Sequence, residues 1–71
     1  MKQYIGSYES RHIMTACQKL YDKFYNEIFE GISYLINQGA DRIIMDEIEL
    51  NEYLGYESFS FVLSGYRESE E

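Results

Sequence analysis

Apolar residues between positions 10 and 38 recur with the spacing of an amphipathic helix. A first stripe, three, four or seven residues apart, consists of Ile13, Cys17, Leu20, Phe24, Ile28 and Leu35. A second stripe, roughly a hundred degrees around the helix axis, consists of Met14, Tyr21, Tyr25, Ile32 and Ile36. Gly39 follows the last apolar residue and is typical of the left-handed position that ends a helix. The pattern predicts one long helix over residues 10–38.

Shorter patterns on both sides of this helix predict strands. Residues 3–8 and 42–45 form short runs, and residues 58–64 alternate between apolar and small polar side chains. Asp46, followed three residues later by Glu49, resembles a helix capping box and predicts a short helix that ends at Gly55. We therefore predict an α+β fold, in which one long amphipathic helix packs on a small sheet of short strands and a second short helix follows. Residues 1–71 form a single small domain, with residues 67–71 as a frayed acidic tail.

The long helix carries more apolar surface than a small sheet can cover. With both stripes it is apolar over more than half of its circumference, and the chain has no second long helix to cover the surplus. A two-fold axis lets the same stripe pack on its own copy. The sequence thus predicts a homodimer with an interface formed by Met14, Tyr21, Tyr25, Ile32 and Ile36. Gly31 costs helix stability unless it permits a close crossing.

The charge is strongly negative and unevenly distributed. The 71 residues include 13 acids and 6 bases, for a net charge of −7. Residues 30–71 hold ten acids and two bases, and no base lies between Arg42 and Arg67. This balance argues against direct binding of nucleic acid or an anionic membrane, since both require Lys and Arg. No apolar run approaches the roughly 20 residues of a membrane span, and no signal-peptide pattern is present, which favours a cytoplasmic protein.

Candidate chemistry is sparse. His12 is the only histidine, and Cys17, the only cysteine, falls on the apolar stripe with no base to activate it. The five glycines do not form a phosphate-binding loop, and the carboxylates of Glu47 and Glu49 lack the EF-hand pattern. We predict no catalytic residue, no metal ligand and no cofactor, and hence no enzyme.

The acids occur together with an unusual number of tyrosines, eight in all. Tyrosine is enriched in protein interfaces because its ring is amphipathic and has few rotatable bonds. Closely spaced carboxylates can imitate the phosphates of a nucleic-acid strand and bind a basic groove. The predicted partner-binding residues are Asp46, Glu47, Glu49, Glu52, Tyr53, Tyr56, Glu57, Glu68, Glu70 and Glu71.

A small, acidic, tyrosine-rich chain with a glutamate-rich end resembles the phage-encoded DNA-mimic inhibitors of host DNA-binding proteins. The resemblance is compositional and covers residues 46–57 and 68–71, without a shared motif. It implies a host-takeover or anti-defence protein that acts in the host cytoplasm and blocks a basic DNA-binding surface. Among known targets of such proteins, the nucleoid protein HU is the first expectation and the sliding clamp the second. The near-neutral first half departs from the strongest mimics and favours blockage of one compact site.

A second hypothesis reverses the roles of the two surfaces. The acids then only keep the protein soluble, and the apolar helix face is the site at which a dimeric adaptor or regulatory protein docks a partner. Salt distinguishes the two hypotheses, since ionic binding weakens steeply with ionic strength and apolar docking does not.

Overall fold

The computed structural model describes residues 1–15, 19–53 and 55–68, apart from the side chain of Tyr53. Strand β1 spans Lys2–Thr15 and helix α1 spans Leu20–Asn37. Strands β2, Arg42–Tyr53, and β3, Tyr56–Glu68, follow. The chain therefore runs strand, helix, strand, strand.

The strands form one sheet in the order β1-β3-β2, so that the last strand lies in the centre. β3 is antiparallel to both of its neighbours, with Phe61 opposite Ser10 on β1 and Tyr56 opposite Tyr53 on β2. Gly55, with φ +96°, lies in the β2–β3 turn, where a positive φ favours glycine. β1 and β2 are the two edges of the sheet.

The period-two pattern of β3 builds the core. Phe59, Phe61 and Leu63 point to the helix side and are almost fully buried, whereas the serines and Val62 between them face the opposite, open side of the sheet. Phe24 of α1 meets the rings of Phe59 and Phe61 edge-on, with centroids 5.3 and 5.7 Å apart. The prediction of a half-buried strand over residues 58–64 is confirmed.

Helix α1 packs over β1 and β3 and leaves β2 to one side. Gly31 lies at the closest approach, because a Cβ atom there would be 2.6 Å from both Leu63 Cδ1 and Tyr8 Cδ1. Gly31 thus permits a close crossing, as its position within the helix suggested, and the surface that the helix crosses there is the sheet.

The helix ends in a Schellman motif, as the sequence predicted at Gly39. Gly39 has φ +101°, its N–H donates to the carbonyl of Ile36, and the Ala40 N–H donates to that of Leu35. These two bonds satisfy carbonyls that the last turn leaves without partners.

The predicted fold class is wrong. The structure is mostly sheet, with 60% strand and 29% helix, and its strands are long. β1 continues through Thr15, so Ile13 and Met14 belong to a strand, and α1 begins only at Leu20. The short helix predicted after Asp46 is instead the middle and end of β2. Cys17 lies outside the described residues.

The molecule is elongated, with extents of 52 × 18 × 12 Å. Arg67 and Glu68 pair with β1 and so belong to the sheet, and residues 69–71 lie outside the described part. One helix covers two strands of a three-stranded sheet, which leaves both the open face and the helix side of β2 exposed.

Candidate functional site: an acidic edge and an apolar trough

Four acids follow one another along the edge strand β2. We call Asp46, Glu47, Glu49 and Glu52 the acidic edge; all four residues are exposed. Within the described residues, no ion pair involves any of them. Asp46 accepts a long hydrogen bond of 3.4 Å from Ser64, and Glu52 accepts one of 3.0 Å from Tyr21. Among the described residues, no base therefore lies within 4.0 Å of these carboxylates.

A β-bulge brings three of these acids close together. Asp46 is opposite Val62 and Glu49 is opposite Ser60, so that Glu47 and Ile48 both face the single residue Phe61. Glu47 has φ +49°, the left-handed region that side chains other than glycine rarely adopt. The extra residue puts Asp46 and Glu49, three apart in sequence, on the same open face of the sheet.

Part of the open face near the bulge is balanced by a base. Arg11 of β1 lies opposite Ser60, in the same row of the sheet as Glu49, and Glu9 lies opposite Val62, in the row of Asp46. Glu47 and Arg11 line one shallow depression on this face. The negative charge is thus greatest on the β2 side of the open face and along the edge itself.

The structure divides the predicted partner-binding residues into two groups. Tyr56 and Glu57 begin β3 beside Glu52 and Tyr53, at the same end of the sheet as the acidic edge. Glu68 lies at the other end of β3, about 40 Å away at ~3.3 Å per residue. It is 3.3 Å from the amino terminus of Met1 and 3.8 Å from Arg42. Glu70 and Glu71 lie outside the described residues.

An apolar trough runs between α1 and β2. At one end, a hollow of about 520 Å³ is lined by Ile32, Ile36, Ala40, Asp41, Ile43, Met45 and Leu63. Ile48 and Leu50 continue along the helix side of β2, and Tyr21 and Tyr25 continue along the same flank of α1, with Phe29 next to them on the outward surface of the helix. We call this surface the α1–β2 trough. The hydrogen bond from Tyr21 to Glu52 reaches across the trough from the start of the helix to β2 and raises the pKa of the Tyr21 phenol.

Four of the five predicted dimer residues belong to this trough. Tyr21, Tyr25 and Ile36 are exposed, and Ile32 is half-buried. Met14 is wrong as a surface residue of the helix, because it lies on β1 and is buried in the core. Sequence reasoning missed Phe29 as a surface residue of this region, and it assigned Ile48 and Leu50 to a short helix.

A polar cluster joins α1 to β1. Glu27 Oε1 accepts a hydrogen bond of 2.8 Å from Ser10 Oγ and lies 3.2 Å from His12 Nε2. Lys23 Nζ lies 3.7 Å from Glu27 Oε2. The Ser10 hydrogen bond holds the pKa of the Glu27 carboxyl below its ordinary value, although burial alone would raise it. His12 and Lys23 also lower the pKa of this carboxyl.

The cluster has the residue types of a hydrolase triad but a different arrangement. In a triad the imidazole stands between the hydroxyl and the carboxylate, so that it can take the hydroxyl proton. Here Ser10 and His12 both meet the same oxygen of Glu27. The arrangement ties the helix to the edge of the sheet and satisfies the buried Ser10 hydroxyl.

In comparisons with known proteins, no protein family, no curated protein and no solved structure matches the chain. Over the described ranges, no helix has the length and apolar character needed to cross a membrane. Within residues 1–15, 19–53 and 55–68, no three His, Cys, Asp or Glu residues are grouped as metal ligands. The two candidate sites are the acidic edge and the α1–β2 trough.

Proposed function

We propose that this protein is a non-enzymatic inhibitor that binds the basic, DNA-contacting surface of a host protein through its acidic edge. The observation that carries the proposal is the row of four exposed carboxylates on β2, none of them ion-paired within the described residues. Such a row gives fast, salt-sensitive association with a basic groove. The proposed site of action is the cytoplasm of the host cell.

The carboxylates of the acidic edge are less densely spaced than the phosphates of a DNA strand. Residues 46–52 span about 20 Å of strand at ~3.3 Å per residue, which is one carboxylate per roughly 5–7 Å. One strand of duplex DNA carries a phosphate per ~3.4 Å of axis, so the edge has about half of that density. This favours one compact basic site over a long DNA channel. The nucleoid protein HU is our first proposed target and the sliding clamp the second.

The test is a competition experiment with purified HU and a fluorescent DNA duplex, read by anisotropy. The protein should release the duplex at about 0.05 M NaCl and lose most of this activity by about 0.2 M. The same experiment with the sliding clamp tests the second target. If the protein competes with DNA on neither target at low salt, both targets are excluded.

Matched variants test the role of the edge. Glu47→Gln/Glu49→Gln and Asp22→Asn/Glu30→Gln each remove two negative charges, the first pair from β2 and the second from exposed positions on α1. Exposed charge pairs contribute roughly 0.2–1 kcal/mol each. The β2 variant should therefore bind roughly two- to thirty-fold more weakly, and the α1 variant close to the wild type. Equal losses in the two variants would mean that only net charge matters.

A second candidate function follows from the α1–β2 trough. An adaptor that docks a partner on this apolar surface would bind with little dependence on salt. Binding that persists at high salt and is insensitive to Glu47→Gln/Glu49→Gln would favour this function over the first.

A further inference from the structure

The α1–β2 trough exposes an apolar surface at the upper end of the range that monomers usually show. Tyr21, Tyr25, Phe29, Ile36, Ile48 and Leu50 each leave between 39% and 65% of their surface accessible. At roughly 200 Å² per large side chain, this amounts to on the order of 600 Å². The largest apolar patch of a typical monomer is about 300–600 Å², and patches at or above this size mark interaction surfaces.

We propose that a second copy of the same chain covers this trough, in a two-fold dimer that packs face to face through α1 and the helix side of β2. A standard interface buries about 800 Å² per partner, of which about 65% is apolar in homodimers. The trough supplies this apolar area. The proposal is independent of what the acidic edge binds.

The shape of the trough suits a two-fold arrangement. A raised part, formed by Tyr25 and Phe29 on the helix, lies next to the hollow bounded by Ile36 and Met45. Around a two-fold axis, the raised part of each copy meets the hollow of the other. One surface then makes the same contact twice, which is how a modest patch gives a stable dimer.

The distribution of charge favours a dimer that packs through the helix-side face of β2 over a dimer that pairs two β2 edges. Pairing of two β2 edges would place the carboxylates of Asp46, Glu47 and Glu49 against those of the other copy, where like charges repel. The bulge also interrupts the regular hydrogen-bond ladder that such pairing needs. Among the described residues, the acids beside the trough lie at its two ends, Asp41 at one and Glu52 with Glu57 at the other. A face-to-face dimer therefore leaves Asp46, Glu47 and Glu49 of both acidic edges accessible, whereas Glu52 lies at the end of the interface.

Sedimentation velocity of the full chain from micromolar to submillimolar concentration tests the proposal. We expect a species of twice 8.5 kDa. Because each copy carries −7, added salt should strengthen the dimer or leave it unchanged, in contrast to its effect on the acidic edge. The variant Phe29→Gln/Ile48→Thr should raise the dimer Kd at least tenfold.

The control is Ile13→Thr, which makes the same strand substitution at an isoleucine that is 74% exposed on the open face. It should leave the dimer Kd unchanged. Far-ultraviolet circular dichroism checks that each variant is folded, and Ile36→Gln on the helix provides the same test if the double variant is not.

Three results would overturn the proposal. A wild-type chain that stays monomeric over the whole range assigns the trough to a different partner. A dimer that resists Phe29→Gln/Ile48→Thr, or that Ile13→Thr weakens equally, is built on another surface. Protection of the outward β2 amides from hydrogen exchange on dimerisation would show pairing of sheet edges instead.

Discussion

Replacement of Gly31 by alanine tests the close crossing of the helix over the sheet. The new methyl carbon would lie 2.6 Å from Leu63 Cδ1 and 2.6 Å from Tyr8 Cδ1. Ordinary contacts between carbon atoms are about 3.5–4.0 Å, so both neighbours have to move by roughly 1 Å. Leu63 is almost fully buried in the same core cluster as Phe24 and Leu35 and has little space to do so.

Two opposing effects set the size of the change. Alanine is favoured over glycine within a helix by about 1 kcal/mol. Overpacking of a well-filled core costs about 1–3 kcal/mol, and two simultaneous clashes point to the upper half of that range. We expect Gly31→Ala to lower the free energy of unfolding by about 1–2 kcal/mol, which lowers Tm by roughly 5–15 °C in a domain of this size.

Thermal and urea unfolding, followed by circular dichroism, measure this effect. The matched control is Ser33→Ala, at an exposed position two residues further along the same helix. It gains helix propensity without a new contact, and its stability should rise by a few tenths of a kcal/mol. The two alanine variants should therefore change stability in opposite directions.

A double-mutant cycle with Leu63→Ala identifies the cause. In the Leu63→Ala background one of the two clashing atoms is gone, so Gly31→Ala should cost less there than in the wild type. If Gly31→Ala instead stabilises the protein as Ser33→Ala does, the helix does not approach the sheet closely at this position and the packing described above is incorrect.

Two further predictions concern charged groups. Hydrogen bonds lower the pKa of Glu27 in the folded state, so its carboxylate stabilises the fold above the ordinary glutamate pKa of 4.5, and this stabilisation is lost as pH falls through the lowered pKa. Below pH 4.5 the urea midpoint should therefore fall more steeply with pH in the wild type than in Glu27→Gln. Equal slopes would contradict the prediction. At the bulge, Glu47→Gly relieves the positive φ and should preserve or raise stability, whereas Glu49→Gly, at an extended position of the same strand, should lower it by about 0.5–1 kcal/mol; equal losses in urea unfolding would argue against the bulge.

The sequence predicted β3 and the helix end because their patterns have one interpretation. Phe59, Phe61 and Leu63 alternate with small polar residues, and a glycine directly after an apolar helix stripe is a strong stop signal. The same holds for the surplus apolar flank of the helix, since no packing against a sheet of this size could bury both stripes.

β1 was not predicted beyond residue 8 because its inward positions are polar. Ser10 and His12 face the helix, where Glu27 is their hydrogen-bond partner. Because these inward positions hold polar side chains, the sequence of β1 shows no alternation of apolar and polar residues there. Ile13 and Met14, on opposite faces of β1, then fit the spacing of the helix that follows.

The start of β2 was predicted as a strand over residues 42–45, but the part from Asp46 onward was mistaken for a short helix because of the bulge. The extra residue separates the inward-facing Met45 and Ile48 by three positions instead of two, and it separates Asp46 and Glu49 in the same way. Three is the spacing of a helix face and of a capping box. Ile48 and Leu50 follow the bulge, and for the same reason the sequence did not assign them to the helix side of a strand.

The central position of β3 has a consequence for biosynthesis. β1 and β2 do not pair with each other; each is bonded only to β3, the strand that the ribosome makes last of the three. Until residues 56–68 have left the exit tunnel, the nascent chain can form α1 but no part of this sheet. The apolar faces of two long strands stay unpaired during that interval, so contact between neighbouring nascent chains competes with folding. Repulsion between the acidic side chains along β2 then opposes this contact before the protein has folded.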